Sequence, residues 1–265
     1  MLVRLTESDL RFLVETVATR RKDHDRVIEL VRDKEDFLEQ MLDDARLLDR
    51  LLNDEEALVR ASPYLLFSAL LRQVRRELEK TGVVYEPESR GRRIPVFEAP
   101  AVVELLSKSE AREYLVELLC SFVRTNTGYV YWNERGAWHR RKFSDTDLDD
   151  MIALAGVVDA ERRPRFLKRV ADIALFLSGI FPDQAVRVPP RSRPALTSQR
   201  TLQDYEQAGH RFYALAARET PEAPLRPLLE TLAEKFTLAR SALNSLSDHF
   251  LKRHRGRYFE LPAGA

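Results

Sequence analysis

Glycine is scarce in this chain, and that scarcity constrains the fold more than any other feature. Only nine glycines occur in 265 residues, about half of the usual share of roughly 7%. The sequence holds neither glycine nor proline before Pro63. Tight turns and phosphate-binding loops need glycine, whereas helices do not. We therefore expect a mainly α fold, a multi-helix bundle-like domain with one or two small inserted β-hairpins.

Composition determines which partners the whole molecule attracts. Hydrophobic residues make up 44% of the chain and charged residues 32%, enough for a core and a well-solvated surface. Lysine and arginine together number 43 and the acidic residues 42, so the net charge is +1. A chain this close to neutral has no general attraction to nucleic acid or anionic lipid, and such binding would need a local basic patch.

Cysteine usage and hydropathy bear on the compartment. Cys120 is the single cysteine, so no intrachain disulfide forms, which is typical of a reducing compartment. We interpret it as a buried small residue, with a reactive thiol as the alternative. The N-terminus lacks a signal-peptide pattern, and the longest near-apolar stretch, Val170 to Phe181, is too short to cross about 30 Å of hydrocarbon. We expect a cytoplasmic protein that binds no membrane.

Several residue pairs mark helix ends. Thr6 and Asp9 have the spacing of a capping box. Ser62 before Pro63 predicts a helix start, and Gly82 predicts the end of that helix. Ser144, with an aspartate three residues later, predicts another start. Apolar residues at helical spacing, with a polar break near residue 22, predict two or three helices before Ser62.

Two β-favouring segments interrupt the helices, near residues 83–97 and 128–143. In the first, Pro95 permits only an edge strand. Residues 185–197, which contain three prolines and three arginines, follow the central helices and are the best internal boundary. We divide the chain into four segments. Residues 1–60 are N-terminal helices that form an arm or part of the core, and residues 61–184 are a central helical core with both hairpins. Residues 185–200 are a Pro/Arg-rich loop, and residues 201–265 are C-terminal helices that pack on the core.

The common catalytic and metal-binding signatures are missing. The sequence has no glycine-rich phosphate loop, no G-x-S-x-G turn, no C-x-x-C and no H-E-x-x-H. With one cysteine and five histidines, we expect no metal site and no cofactor. The missing signatures favour a protein that is not an enzyme.

Three residues are the catalytic candidates if the chain is an enzyme. Asp172 lies in an apolar run, so its carboxylate must be paired or its pKa must shift. It would be a general base or ligand anchor, or else a structural ion pair with an arginine such as Arg169. Glu206 and His210 lie four residues apart on one helix face. They would join the same pocket, or else form an ordinary hydrogen-bonded pair.

The second β-segment combines aromatic and basic residues. Aromatic rings stack on bases and clustered cations neutralise phosphates, so this pattern is a candidate nucleic-acid surface. The alternative is a hairpin whose aromatics pack on helices while its cations stay solvated. Basic residues at 162–169 and 187–193 would extend the surface. The candidate binding residues are Tyr131, Trp138, Arg135, His139, Arg140, Arg141 and Lys142.

Two segments in the latter half have a familiar pattern. One runs from Lys168 to Pro182, and the other runs from Tyr205 through Gly209-His210-Arg211-Phe212-Tyr213 to Ala216. Together they resemble a loose set of uncharacterised bacterial helix-rich proteins. The resemblance implies a bacterial-type helical fold and carries no activity and no site residues.

These observations leave three hypotheses for the function. The first is a non-enzymatic helical interaction or regulatory protein, whose partner is another protein or a second copy of the chain. The amphipathic stretch 24–52 would offer a surface for it. The second is a nucleic-acid-binding protein that uses the basic aromatic hairpin. The third is an enzyme with a pocket around Asp172.

Overall fold

Helices account for most of the chain, as the shortage of glycine predicts. The computed structural model describes residues 5–88, 92–123, 127–134, 137–144, 147–183, 200–252 and 258–259, with side chains except at 35, 55, 58 and 127–143. The helices are α1 Glu7–Val17, α2 His24–Asp33, α3 Glu35–Leu42, α4 Ala45–Asn53, α5 Glu55–Arg60, α6 Pro63–Thr81, α7 Ala99–Ser107, α8 Ser109–Ser121, α9 Leu148–Val157, α10 Arg163–Ile180, α11 Leu202–Glu219, α12 Leu225–Glu234 and α13 Phe236–Leu246. A π-helical turn, Ser247–Leu251, extends α13.

The strands among the described residues form two antiparallel hairpins, so the mainly α class with small inserted hairpins is confirmed. Strands β1 (Val84–Pro87) and β2 (Arg93–Val96) form the first hairpin. Strands β3 (Thr127–Glu134) and β4 (Ala137–Ser144) form the second.

Local signals placed several helix ends correctly. The Thr6 hydroxyl accepts the Asp9 N–H at 3.1 Å, and the Asp9 carboxylate accepts the Thr6 N–H at 2.9 Å, which completes the capping box. Ser62 caps α6 by accepting the Leu65 N–H at 3.2 Å. Gly82 ends α6 with φ of 68°, a left-handed conformation that glycine adopts without strain. These signals were readable because each one acts within a single turn.

The N-terminal region is more divided than the apolar spacing predicts. Five helices precede Ser62 in the described chain, where two or three were expected. Lys34, Asp44 and Asp54 have extended backbone and interrupt the helices. The two aspartates also accept backbone N–H groups at the start of the next helix, so they favour breaks that periodicity alone does not reveal.

The start of α9 also differs from the prediction. Asp147, not Ser144, is the N-cap residue, and its side chain accepts the Asp150 N–H at 2.9 Å. Ser144 still ends β4, and its backbone N–H donates to Asp150 at 3.1 Å. The aspartate at the predicted third helical position therefore took the capping role because the strand extends to residue 144.

Helix α10 is the centre of the structure. It contacts α8, α9, α11 and α13, and most of its side chains after Leu167 are buried. It approaches α13 closely at Gly179, where a Cβ atom would lie 2.6 Å from the Leu243 Cβ. The later turns of α10 are therefore enclosed on several sides, as their apolar composition predicts.

Buried ion pairs hold the first hairpin on the C-terminal helices. Arg240 of α13 lies 2.6 Å from Glu86 of β1, and both side chains are largely buried. Arg93 of β2 donates to both carboxylate oxygens of Asp248, at 2.7 and 3.0 Å, and to Asp183 at 2.9 Å. Such two-point contacts fix orientation as well as distance. The hairpin therefore has a defined position on the helical core.

Charged and apolar contacts join the N-terminal helices to α6. Glu39 of α3 accepts from Arg72 at 2.6 Å and from Arg112 of α8 at 2.7 Å. Both arginines are almost completely buried, at 1% and 4% exposed. The apolar stripe of 24–52, expected as a partner surface, mostly faces inward, although Leu30, Phe37 and Leu52 stay exposed. This stripe is therefore used chiefly within the fold.

The C-terminal region is held by α13 and by one aromatic anchor. Helices α12 and α13 meet end to end at Lys235. Beyond the π-helical turn, Phe259 is 2% exposed and stacks on Phe67 with ring centroids 5.7 Å apart. The segment boundaries at 60, 184 and 200 stay predictions, since 184–199 lie outside the described residues.

Candidate functional site

Asp172 of α10 is buried and receives three hydrogen bonds. Its Oδ1 accepts the Tyr114 hydroxyl of α8 at 2.5 Å and the Tyr213 hydroxyl of α11 at 2.8 Å. Its Oδ2 accepts from the Lys168 ammonium at 2.8 Å. Asp172 is 3% exposed. The apolar neighbours of Asp172 in the sequence predicted a buried carboxylate, and a buried carboxylate must have partners. These three hydrogen bonds supply them.

The two tyrosines are donors at any ordinary pH. Burial raises the pKa of Tyr213 well above 10, and the Asp172 charge raises it further. Burial and the same carboxylate raise the pKa of Tyr114 in the same direction. Ionising either hydroxyl would place a second negative charge against Asp172 in a buried site. Both side chains therefore hold the Asp172 carboxylate in a fixed orientation.

The charged partner of Asp172 is Lys168, one turn earlier on the same helix. The sequence suggested Arg169, but its guanidinium donates to Ser121 at 2.8 Å and lies 4.0 Å from the Phe122 ring centroid. The Lys168 ammonium also lies 4.6 Å from the Tyr114 ring centroid, within cation–π distance. Positions i and i+4 share a helix face, so Lys168 reaches Asp172 without leaving α10.

Lys168 also lines a surface pocket of about 280 Å³. The pocket lies between the start of α10, the end of α11 and the start of α12. Its charged lining residues are Glu161, Arg162, Arg165, Lys168 and Glu222. Its other lining residues are mostly apolar: Pro164, Thr220, Pro221, Leu225 and Leu229. We call this the cationic pocket, because three cations and two carboxylates face it.

Two chain reversals form the pocket. Thr220 ends α11 in an extended conformation, with φ of −68° and ψ of 130°, as expected for the residue before a proline. Pro164 lies in the first turn of α10, where a missing N–H costs nothing. An ion pair between Arg163 and Glu219, 3.4 Å apart, joins the start of α10 to the end of α11. These contacts hold the pocket walls together.

Most of the charges that line the pocket have no side-chain partner within the described residues. Arg162 and Arg165 form neither an ion pair nor a side-chain hydrogen bond there, and both are exposed. The carboxylates of Glu161 and Glu222 likewise have no partner there, and both residues are exposed. The Lys168 ammonium uses one of its three N–H donors on Asp172. The pocket therefore presents at least two guanidinium groups and part of an ammonium to a ligand.

Glu206 and His210 have partners of their own. Glu206 lies 2.8 Å from the Arg240 guanidinium, as part of the ion pairs that hold the first hairpin. The His210 Nδ1 is hydrogen-bonded to the Ala233 carbonyl. Asp172 shares no hydrogen bond or ion pair with either residue. Their helix spacing placed them on one face, but each side chain contacts a different neighbouring element.

The second hairpin has the expected backbone. Its register pairs Tyr131 with Arg140, Trp132 with His139 and Asn133 with Trp138. The side chains of Tyr131, Trp138, His139, Arg140, Arg141 and Lys142 lie outside the described part of the structure, as does the whole of Arg135. Strand β4 contacts α9, which packs on α10. The nucleic-acid surface therefore stays a prediction.

The basic cluster at 162–169 is only partly available for binding. Arg163 pairs with Glu219, Lys168 with Asp172, and Arg169 with Ser121 and the Phe122 ring. The basic loop at 187–193 lies outside the described residues.

Cys120 is half-buried against the core rather than fully buried.

Within the described ranges of the chain, no group of three or more histidine, cysteine, aspartate and glutamate side chains is arranged to hold a metal ion. Within those ranges, every helix is too short or too polar to traverse a lipid bilayer.

Sequence reasoning missed several residues of this site. Tyr114 and Tyr213 are not singled out by the sequence, since nothing local distinguishes a core tyrosine from one that binds a carboxylate. Thr220, Leu225 and Leu229 reach the pocket only through the fold. One local signal was available: Lys168 lies four residues before Asp172, the spacing of a helical ion pair.

Comparison of the chain with protein-family models, curated proteins and solved structures gives no match.

Proposed function

We propose that this protein is a non-enzymatic helical interaction protein, and that the cationic pocket binds an anionic group of its partner. The observation that carries the proposal is the convergence of Arg162 and Arg165, neither of them ion-paired within the described residues, with Lys168 on one concave site. Guanidinium groups favour carboxylate and phosphate ligands because their N–H donors match two oxygens at once.

The surroundings of Asp172 support a binding role over a catalytic one. A general base must lie within hydrogen-bond reach of the substrate proton that it takes. Asp172 receives donors on both oxygens from Tyr114, Tyr213 and Lys168, and it is 3% exposed. Its interactions are those of a structural charge that also fixes Lys168. This arrangement favours the interaction hypothesis over an enzyme with a pocket around Asp172.

A calorimetric titration tests the proposal. Wild-type protein is titrated with inorganic phosphate, with N-acetyl-leucine and with a glutamate-rich peptide blocked at both ends. We expect at least one anion to bind, and the double variant Arg162→Ala/Arg165→Ala to weaken it about tenfold or more. A charge-assisted hydrogen bond contributes about 1.5–3 kcal/mol, and about 1.4 kcal/mol is tenfold.

A matched control separates this site from general charge effects. Arg26→Ala/Lys80→Ala removes the same charge from exposed positions on α2 and α6, which do not line the pocket. We expect this control to bind like the wild type. Equal weakening in both double variants, or no binding of any anion to the wild type, would exclude the pocket as the site.

Nucleic-acid binding is the second candidate, favoured by the register of the second hairpin. Tyr131 pairs with Arg140 and Trp132 with His139, so each of these aromatic positions of β3 lies opposite a basic position of β4. Aromatic stacking with neighbouring cations is a common way to bind single strands. Fluorescence anisotropy with single- and double-stranded DNA and RNA over a salt series tests it. We expect salt-sensitive binding that weakens in Arg140→Ala/Arg141→Ala/Lys142→Ala, and unchanged binding would remove the hairpin as the site.

A further inference from the structure

We infer that the cationic pocket recognises a single carboxylate on an apolar body, namely the apolar C-terminal residue of a partner protein. The inference rests on the proposed function and names the ligand class for the same site. Three features carry it: the charge balance of the pocket, its apolar walls and its size.

The charge balance favours a monoanion. Arg162, Arg165 and Lys168 face the pocket together with Glu161 and Glu222, which leaves one net positive charge on its lining. Behind Lys168, the Asp172 carboxylate lies 2.8 Å from the same ammonium. One net positive lining charge, backed by a buried negative one, suits a carboxylate better than a phosphate dianion. A phosphate dianion would leave the site with excess negative charge, because the lining carries only one net positive charge.

The walls favour an apolar body next to that carboxylate. Pro164 and Leu229 are buried, and Leu225 is half-buried beside them. Small-ligand sites commonly combine apolar walls with a few placed polar groups that fix orientation. The pocket volume of about 280 Å³ lies near the lower end for ligand sites, which start at roughly 300 Å³. It accommodates one residue of a peptide rather than a nucleotide.

Asp172 is the residue that sets this preference. Tyr114 and Tyr213 fix its Oδ1, so its Oδ2 is held against the Lys168 ammonium. That contact positions Lys168 and offsets its charge at the same time. Asp172 is therefore a positioning residue that acts through Lys168, and removing its charge should favour more highly charged ligands.

Four small probes test the ligand class by calorimetric titration. They are N-acetyl-leucine, N-acetyl-leucinamide, N-acetylglycine and inorganic phosphate. We expect N-acetyl-leucine to bind most tightly. The amide removes the charge and N-acetylglycine removes the apolar body, so each should bind at least about tenfold more weakly, equivalent to about 1.4 kcal/mol.

The outcomes separate the two proposals. If phosphate or the blocked acidic peptide binds and N-acetyl-leucine does not, the C-terminal carboxylate is wrong while the anion-binding function stands. If no probe and no peptide binds, the proposed function fails and the inference falls with it. If the amide or N-acetylglycine binds as well as N-acetyl-leucine, the stated ligand class is wrong.

Charge variants test the role of Asp172. Asp172→Asn should raise the affinity for phosphate relative to N-acetyl-leucine by about tenfold, whereas Tyr213→Phe, which keeps the charge, should leave the ratio unchanged. A purely structural Asp172 would shift both affinities together. If Asp172→Asn does not fold, Glu222→Gln makes the same charge change at an exposed rim position and should shift the ratio in the same direction. An unchanged ratio in the variant that folds would overturn the charge argument.

Discussion

Gly209 of α11 lies directly against the ring of Phe236. A Cβ atom at position 209 would be 1.9 Å from the Phe236 Cε2 and 2.3 Å from its Cζ. Phe236 is fully buried and its ring lies beside His210 and Tyr213, with centroids 5.4 and 6.2 Å away. Because the ring is packed against these neighbours, the contact of α11 with the start of α13 depends on glycine at this position.

Gly209→Ala should therefore destabilise the protein. Forcing extra atoms into a packed core costs about 1–3 kcal/mol. Gly156→Ala in α9 is the control, because no atom lies within 4 Å of its added Cβ. That change should stabilise the protein by about 0.5–1 kcal/mol through helix propensity. Urea unfolding followed by circular dichroism measures both, and the same sign for the two variants would contradict the packing argument.

Tyr213→Phe should lower the free energy of unfolding by about 1.5–3 kcal/mol, since it removes a hydrogen bond to a buried charged acceptor. Tyr85→Phe is a matched control at a tyrosine that is 52% exposed, where a surface change costs less than about 0.5 kcal/mol. Urea unfolding at neutral pH compares them. Equal stabilities of the two variants would mean that Tyr213 is not needed to satisfy Asp172.

Stability should also fall in alkali because of these tyrosines. Burial and Asp172 raise the folded-state pKa of Tyr114 and Tyr213 above the ordinary value near 10. Their contribution to the free energy of unfolding is complete below about pH 10. It is lost as the pH rises toward their folded-state pKa values, because in that range only the unfolded chain releases these protons.

Unfolding free energies between pH 9 and pH 11.5 measure this loss. Each tyrosine contributes a slope of up to about 1.4 kcal/mol per pH unit. Tyr213→Phe should have a shallower alkaline slope than the wild type by about one proton. Parallel pH profiles for the two proteins would show that Tyr213 ionises equally well in the folded chain.

Glu39→Gln should destabilise the protein strongly. Glu39 binds Arg72 and Arg112, and both guanidinium groups are nearly inaccessible to water. Removing one member of a buried ion pair costs about 3–5 kcal/mol, because it leaves an uncompensated charge.

Glu7→Gln is the control for that change. The Glu7–Arg32 pair is exposed, with about half of each side chain accessible, and such pairs contribute about 0–1 kcal/mol. Thermal unfolding of the two variants should differ clearly. A loss in Glu39→Gln as small as in the control would mean that Asp43, 3.6 Å from Arg72, compensates for the missing charge.

The fold was predictable where the signal acts over one turn. The Thr6–Asp9 capping box and the Gly82 helix end follow from residues three or four apart. The site was predictable only in part. The apolar neighbours of Asp172 indicated its burial, but its donors Tyr114 and Tyr213 lie 58 and 41 residues away. The pocket likewise joins the start of α10 to residues 220–229, which no periodicity relates.

The anchoring of the first hairpin has a consequence for synthesis. Arg93 and Asp248 are 155 residues apart, as are Glu86 and Ser241. A chain emerging from the ribosome completes β1 and β2 long before α13 exists, so Glu86 and Arg93 must stay hydrated until the last helices are made. Forming these pairs also brings together residues that are far apart in the sequence, which slows folding. Docking of the hairpin is therefore a late event, and a chain truncated before Arg240 would leave these charges unpaired.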